Sequence, residues 1–202
     1  MAIPFLRDVL RSPQLVGLGG FTPIKQTERK TCAAASVAAC LRHLGLHANE
    51  YMCAESMGVS PVVGTPTRDI LKYLAGREMY ATAWKNYPVR RVIERVTLGK
   101  LVMLELLDWG GHWVVGAGYD PTSGAIVLAD PALDKTLFRA VTIDQLAAEW
   151  SGSALDIDRP TKTANARIGV KARYDKRTDF RIHDWNKPAF VARRVSGPPD
   201  GA

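Results

Sequence analysis

The sequence predicts an α+β fold in which helices come first and an antiparallel sheet follows. Three observations predict it. Apolar residues recur at helical spacing from Cys32 to Leu98. From Leu101 the pattern changes to short, nearly continuous apolar runs of strand length. Two of those runs flank Asp120-Pro-Thr-Ser-Gly124, whose residue types favour a tight turn and so antiparallel neighbours.

The elements follow in chain order. Pro4 to Arg11 reads as a short helix, and Gly17-Leu-Gly-Gly20 as a flexible connector. Residues 24–31 are polar and irregular. The run CAAASVAACLRHLG from Cys32 is a buried helix: alanine dominates, and Val37, Cys40, Leu41 and Leu44 fall on one face. Thr31 is placed to cap its start and Gly45 to end it. Residues 49–58 give a second helix. A third opens at Thr65-Pro66, with Ile70, Leu71 and Leu74 on one face, and 88–98 is a fourth. The first half is therefore read as helical. Leu101–Leu107, His112–Tyr119, Ala125–Asp130 and Leu137–Val141 read as strands, and Ile143–Trp150 as a helix after Thr142. Beyond residue 152 periodicity fades. The predicted organisation is an N-terminal helix and connector (1–23), a core domain (24–152) and a basic, partly disordered extension (153–202).

Composition narrows the function. The chain has 202 residues, 47% of them hydrophobic and 23% charged, which suits one globular domain with an appendage. No apolar run approaches the roughly 18 residues of a membrane span. Arg7, Asp8 and Arg11 interrupt the start where a signal peptide would be apolar, so the expectation is a cytoplasmic protein, or one delivered by a non-classical secretion route. Three dispersed cysteines suit a reducing compartment and supply no zinc site. The net charge of +7 suggests an acidic partner, but residues 153–202 hold 11 basic against 6 acidic residues, so most of it lies in the extension. No nucleic-acid-binding signature accompanies it, and no nucleic-acid partner is expected.

Cys32 is the residue that asks for a chemical explanation. It opens a helix, where unpaired N–H groups and the helix dipole favour thiolate, the nucleophilic form. Cys40 and Cys53 fall on apolar or mid-helix positions and read as packing. A nucleophile needs a base. His43 and His47 lie at least eleven residues further on, roughly 16 Å along the helix. His183 lies in the extension. His112 opens a strand behind Gly110-Gly111, where a substrate can approach closely. If Tyr119 faces Ala125 across the hairpin, Asp130 faces Val114 and is the diagonal neighbour of His112 on one face. Asp130 then orients the imidazole, and Asp134 is the alternative acid. The Cys32 N–H and the Gln26 side chain, six residues upstream, are candidate oxyanion donors. Trp109, Gly111 and Trp113 are candidate substrate-binding residues, with Trp84 and Tyr119 as further cleft walls.

Gln26, Cys32, His112 in GGHWVVGAGYD and Asp130 before Pro131, in that order, resemble a papain-like cysteine peptidase. More narrowly, they resemble the bacteriocin-processing peptidases that cleave after double-glycine leaders. Supporting features are Leu44-Gly45 after the nucleophile helix, Gly64-Thr65 before the next helix and Gly99-Lys100 before the strand that precedes His112. The resemblance implies a helical N-terminal lobe carrying Cys32 and a sheet lobe carrying His112 and Asp130. It implies a cysteine endopeptidase with a Cys-His-Asp triad and no metal or other cofactor. The implied partner is a peptide or protein with a Gly-Gly site, either a leader to be matured or the target of a delivered antibacterial toxin with a cognate immunity protein. Where the family has Asp-Cys-Gly, this chain has Thr31-Cys32-Ala33. Leu18-Gly-Gly20 loosely resembles a double-glycine leader end, which raises self-processing after Gly20. The alternatives are an acyltransferase or peptide ligase on the same scaffold, and a substrate-binding module with a dormant triad.

Overall fold

Alanine is what lets the first long helix lie against a sheet. Helix α2 (Cys32–His43) has Cys32 through Leu41 all buried, and Ala33, Ala34, Ala35 and Ala38 are fully inaccessible. Such small side chains allow backbone to approach backbone, and a larger one here would overpack the interface. The structure, a computed structural model, describes residues 6–160, apart from the side chain of Trp109. Gly45, at φ 77°, ends α2: its N–H bonds to Arg42 O (2.9 Å) and that of Leu46 to Leu41 O (2.9 Å). That pair of bonds is a Schellman motif, which needs a left-handed residue at this position.

The sheet comprises β2 (Tyr80–Trp84), β3 (Leu101–Leu106), β4 (His112–Asp120), β5 (Ala125–Ala129), β6 (Phe138–Thr142) and β7 (Trp150–Asp158). Their spatial order is β2-β7-β3-β4-β5-β6, every pair antiparallel. Helices α2, α3 (Glu50–Met57) and α4 (Thr67–Gly76) share one core with Met103, Trp113, Val115 and Leu155. Helices α5 (Val89–Thr97) and α6 (Ile143–Glu149) share a second core with Val102, Leu104, Val114 and Ile126. Both faces of the sheet are thus covered. This is why β3 reads as an apolar run rather than as an alternation.

Several expectations need correction. The first half is not purely helical, because β2 joins the sheet as the neighbour of β7. The core domain does not end at residue 152. Strand β7 runs to Asp158 between β2 and β3, and Asp156 and Asp158 pair with Arg95 of α5. The signal was there: in Ala154-Leu-Asp-Ile-Asp158 the residues Ala154, Leu155 and Ile157 are buried, and Leu155, Asp156, Ile157 and Asp158 alternate apolar with polar. Its serine- and glycine-rich start concealed it.

Nor are residues 6–23 a separate unit. After α1 (Leu6–Arg11), β1 (Val16–Gly17) pairs with Tyr119 and Gly118, and Leu18 N–H bonds to Ala117 O at 2.9 Å. Val9, Leu18 and Phe21 enter the first core. The Gly-rich segment is therefore knitted into the sheet rather than acting as a flexible connector. The predicted helix start at Pro4 and the remainder of the extension lie outside the described residues.

The β4–β5 hairpin carries the detail that positions the site. Asp120 faces Ala125 and Tyr119 faces Ile126, one residue away from the expected register. A bulge at Ala117, between Gly116 and Gly118, then shifts the ladder by one, so that Val115 faces Ala129. Continuing that register places Asp130 opposite Val114. The turn end of the hairpin differs from expectation, and the bulge restores the expected alignment at the other end.

Candidate active site

Cys32, His112 and Asp130 meet where the start of α2 abuts β4. Tertiary packing makes the junction: Ser36 Oγ, one turn into α2, donates to the Trp113 carbonyl at 3.0 Å in a buried contact. The Cys32 thiol hydrogen-bonds the His112 ring. His112 Nε2 lies 2.7 Å from Asp130 Oδ1, leaving Nδ1 as the nitrogen that meets the sulfur. His112 is 2% exposed and Asp130 5%. Asp130 Oδ1 also accepts from Ala132 N–H at 3.0 Å, and Arg139 Nε lies 3.4 Å from Oδ2. Arg139 is held in turn by Glu149 at 2.8 Å.

The electrostatics favour an ion pair. Burial opposes a Cys32 thiolate. The hydrogen bond from His112, the Trp113 and Ala33 N–H groups and the His112 charge outweigh it, and the thiol titrates below its ordinary value. Burial likewise opposes imidazolium, but Asp130 and Cys32 together raise His112 to about 9. Asp130, against its own burial, is held below the usual carboxylate range by His112, Ala132 and Arg139. Both shifts favour the thiolate–imidazolium pair over the neutral pair.

A pH profile follows from these directions. Alkylation of Cys32 is expected to begin below the pH of an ordinary thiol and to persist upward. Any reaction that also needs imidazolium as an acid is expected to fall as pH passes about 9. Because the folded-state pKa of His112 is raised, the stability it contributes is complete below about 6.5 and lost as pH rises through about 9. Parallel alkylation rates, peptide turnover and melting curves measured against pH would check all three. Coincident upper limbs for alkylation and turnover would contradict the assignment.

The remaining predicted residues divide. Cys32 is the first residue of α2, so its N–H has no acceptor within the helix. Gln26 is close by in the chain, and its N–H is tied to Pro131 O (2.9 Å), the residue after Asp130. Its side-chain amide donates to the carbonyls of Glu28 (2.9 Å) and Arg29 (3.3 Å), while Oε1 is buried without a partner among the described residues. Oxyanion donation by Gln26 therefore requires its side chain to turn. Gly110 and Gly111 both take positive φ, 78° and 113°, where a side chain would be strained, and they swing the chain into β4. Trp113 is not an open cleft wall: its side chain is 3% exposed in the first core, and its backbone serves the site. Trp109 lies in a single 3₁₀ turn, Asp108–Gly110, and its side chain is outside the described part. Trp84 donates to Asp156 at 3.1 Å.

The alternative acid, Asp134, points outward and pairs with Lys25 at 2.6 Å. His43 packs at a tilt against Phe21, and His183 lies outside the described residues. Cys40 and Cys53 are buried, and desolvation pushes both thiols up. Among the described residues no group of His, Cys, Asp or Glu could hold a metal ion, and no helix is long and apolar enough to cross a membrane.

Sequence reasoning missed Ser36, Arg139, Glu149 and Glu50. Glu50 opens α3, yet its carboxylate is buried at 7% exposure and faces the loop before Cys32. Its Oε1 accepts from Thr27 N–H at 2.7 Å and contacts the Thr31 hydroxyl. Thr31 therefore makes no side-chain cap to α2, contrary to expectation, because its hydroxyl is engaged by Glu50 and Glu28. No sequence signal identifies such a partner 19 residues away. Glu50→Ala is expected to cost about 1–3 kcal/mol by leaving the Thr27 N–H unpaired while Thr31 keeps the Glu28 carbonyl, and to slow the site about tenfold or more by freeing the loop. Glu50→Gln keeps an oxygen for both donors and should restore most of each. Thermal melts and Cys32 alkylation rates would show it.

With the geometry in place, comparison with known proteins gives the following. Residues 19–154 match the model of a family described as "Peptidase_C39 like family". No curated protein matches the chain in sequence. A double glycine motif protease from an AMS/PCAT transporter, solved with its leader peptide, is 20% identical at a TM-score of 0.61. The match covers 74% of this chain and 100% of that one. The peptidase domain of Streptococcus ComA, a bifunctional ABC transporter, is 15% identical at 0.60, covering 69% and 99%. A C39-like peptidase from Bacillus anthracis is 17% identical at 0.57, covering 73% and 99%. At these identities the likeness is one of fold, the papain-like α+β architecture.

Proposed function

The chain belongs to the Peptidase_C39 like family, and from that premise we propose that it is a cysteine endopeptidase that cuts peptide chains after Gly-Gly. The observation that carries the reading is the continuous hydrogen-bonded line from Cys32 through His112 to Asp130, with the nucleophile on a helix N-terminus. In the proposed reaction the Cys32 thiolate attacks the scissile carbonyl. The oxyanion rests on the Cys32 N–H and on Gln26 once its side chain turns. The His112 imidazolium protonates the leaving amine, and the C–N bond breaks to give a thioester. His112 then removes a proton from water, which attacks the thioester and regenerates the thiol. Asp130 keeps the imidazole oriented and stabilises its charge.

The substrate in this reading is an extended peptide or a protein segment with a Gly-Gly site. Leader maturation and a delivered toxin restrained by an immunity protein use the same chemistry. Toxicity on cytoplasmic expression that vanishes in Cys32→Ala would select the toxin. The direct test digests a broad peptide library with wild type and Cys32→Ala and reads new N-termini by mass spectrometry. Wild-type-only cuts after Gly-Gly are expected. An intact library, with thioester trapped only by an added amine, would replace hydrolysis by acyl transfer.

A further inference from the structure

Glu105 interrupts an otherwise apolar strand, and it does so beside the candidate site. Every other residue of β3, LVMLEL, is aliphatic and buried, and Glu105 alone is half-buried. The sheet register pairs it with Trp113 on β4 and Ser153 on β7. Alternation puts Glu105 on the face of Met103 and Trp113, which packs against α2, the helix that begins with Cys32. Its carboxylate leans past the strand pair. The position a Cβ would take on Gly111 lies 3.1 Å from Glu105 Oε1. Gly111 immediately precedes His112.

That carboxylate is unpaired. Its backbone carbonyl accepts from Ser151 Oγ at 2.7 Å, but among the described residues no hydrogen bond or ion pair reaches the carboxylate, and its oxygens remain open to solvent. A half-buried carboxylate loses part of its hydration, and a cation arriving beside it is favoured. An extended peptide advances about 3.3 Å per residue. Trp113, the cross-strand partner of Glu105, gives its N–H to Cys32, so a peptide lying along this rim of the site brings side chains a few residues from its scissile bond to Glu105.

We propose that Glu105 is a specificity-determining residue, selecting a lysine or arginine side chain within three residues of the scissile bond. The proposal rests on the peptidase reading and names its substrate class: Gly-Gly sites with a basic flank. It is tested with Gly-Gly peptides carrying Lys, Arg, Gln or Glu at each of three positions on either side. Wild type, Glu105→Gln and Glu105→Lys are compared, with kcat and KM resolved for each. Alkylation of Cys32 by iodoacetamide reports whether the nucleophile pair is assembled in each variant.

At one flanking position wild type is expected to favour Lys or Arg over Gln by about five- to twentyfold in kcat/KM. Glu105→Gln should bring that ratio close to one, and Glu105→Lys should turn the preference toward Glu. A wild-type profile flat at every position, or a basic preference unchanged in Glu105→Gln, overturns the proposal. A library left intact by wild type while Cys32 still alkylates rejects the peptidase reading itself, and the specificity with it.

Discussion

Cys32→Ala is expected to abolish peptide turnover, a loss of at least about 10⁴-fold, while leaving the fold intact. Removing the sulfur deletes the only atom that can form the thioester. It leaves little cavity, because the residue lies at the first turn of α2 among alanines already sized for close approach. His112→Ala should be nearly as severe, for a different reason. It removes the imidazolium that lowers the Cys32 thiol and the acid that protonates the leaving amine. The two losses are not additive, since each residue acts only through the other, and the double variant should be no worse than Cys32→Ala. Circular dichroism would verify folding, and a rate assay on any peptide cut by wild type would give the loss. Undiminished turnover in Cys32→Ala would remove the nucleophile assignment outright.

The second large effect is expected at Asp130, and it should be graded. Asp130→Ala takes away the acceptor 2.7 Å from His112 Nε2 and leaves Arg139 without that partner. The imidazole loses its orientation, and the His112 pKa is expected to fall from about 9 toward its ordinary 6.5. Turnover should drop by about 10²–10⁴-fold and remain measurable, because nucleophile and oxyanion donors survive. Asp130→Asn keeps an oxygen for the ring but no charge, so it should fall between wild type and Asp130→Ala. The telling readout is the upper limb of the pH profile: it should move down in both variants, and further in Asp130→Ala. Equal effects of Asn and Ala with an unmoved upper limb would mean that Asp130 serves packing alone.

Much of this was legible from residue types and spacing. The alanine-rich run announced a helix able to lie close to a neighbour, and Gly45 its end, because a left-handed residue there leaves few other choices. Gly110-Gly111 before His112 announced a backbone that a side chain would strain. The hairpin was legible from its turn residues, but its register was not. Gly116 and Gly118 mark a place where a bulge is easy, but not that one forms or how it resets the ladder, and the alignment of Asp130 with His112 depends on it. Strand β7 was concealed by its serine- and glycine-rich beginning, although the alternation of Leu155 and Ile157 with Asp156 and Asp158 was there to read.

The sequence by itself determined which chemistry is present: a cysteine at a helix start, a histidine behind two glycines, an aspartate at a strand end. Those are properties of local backbone and side chain, and they act over a few residues. Only the tertiary structure decided which groups meet. Ser36 holds α2 to β4, Glu50 fixes the loop before the nucleophile, Arg139 backs the acid, and Glu105 stands unpaired beside Gly111. These partners lie 77, 23, 9 and 6 residues apart in the chain. Their meeting depends on sheet order, bulges and packing, which no local pattern encodes.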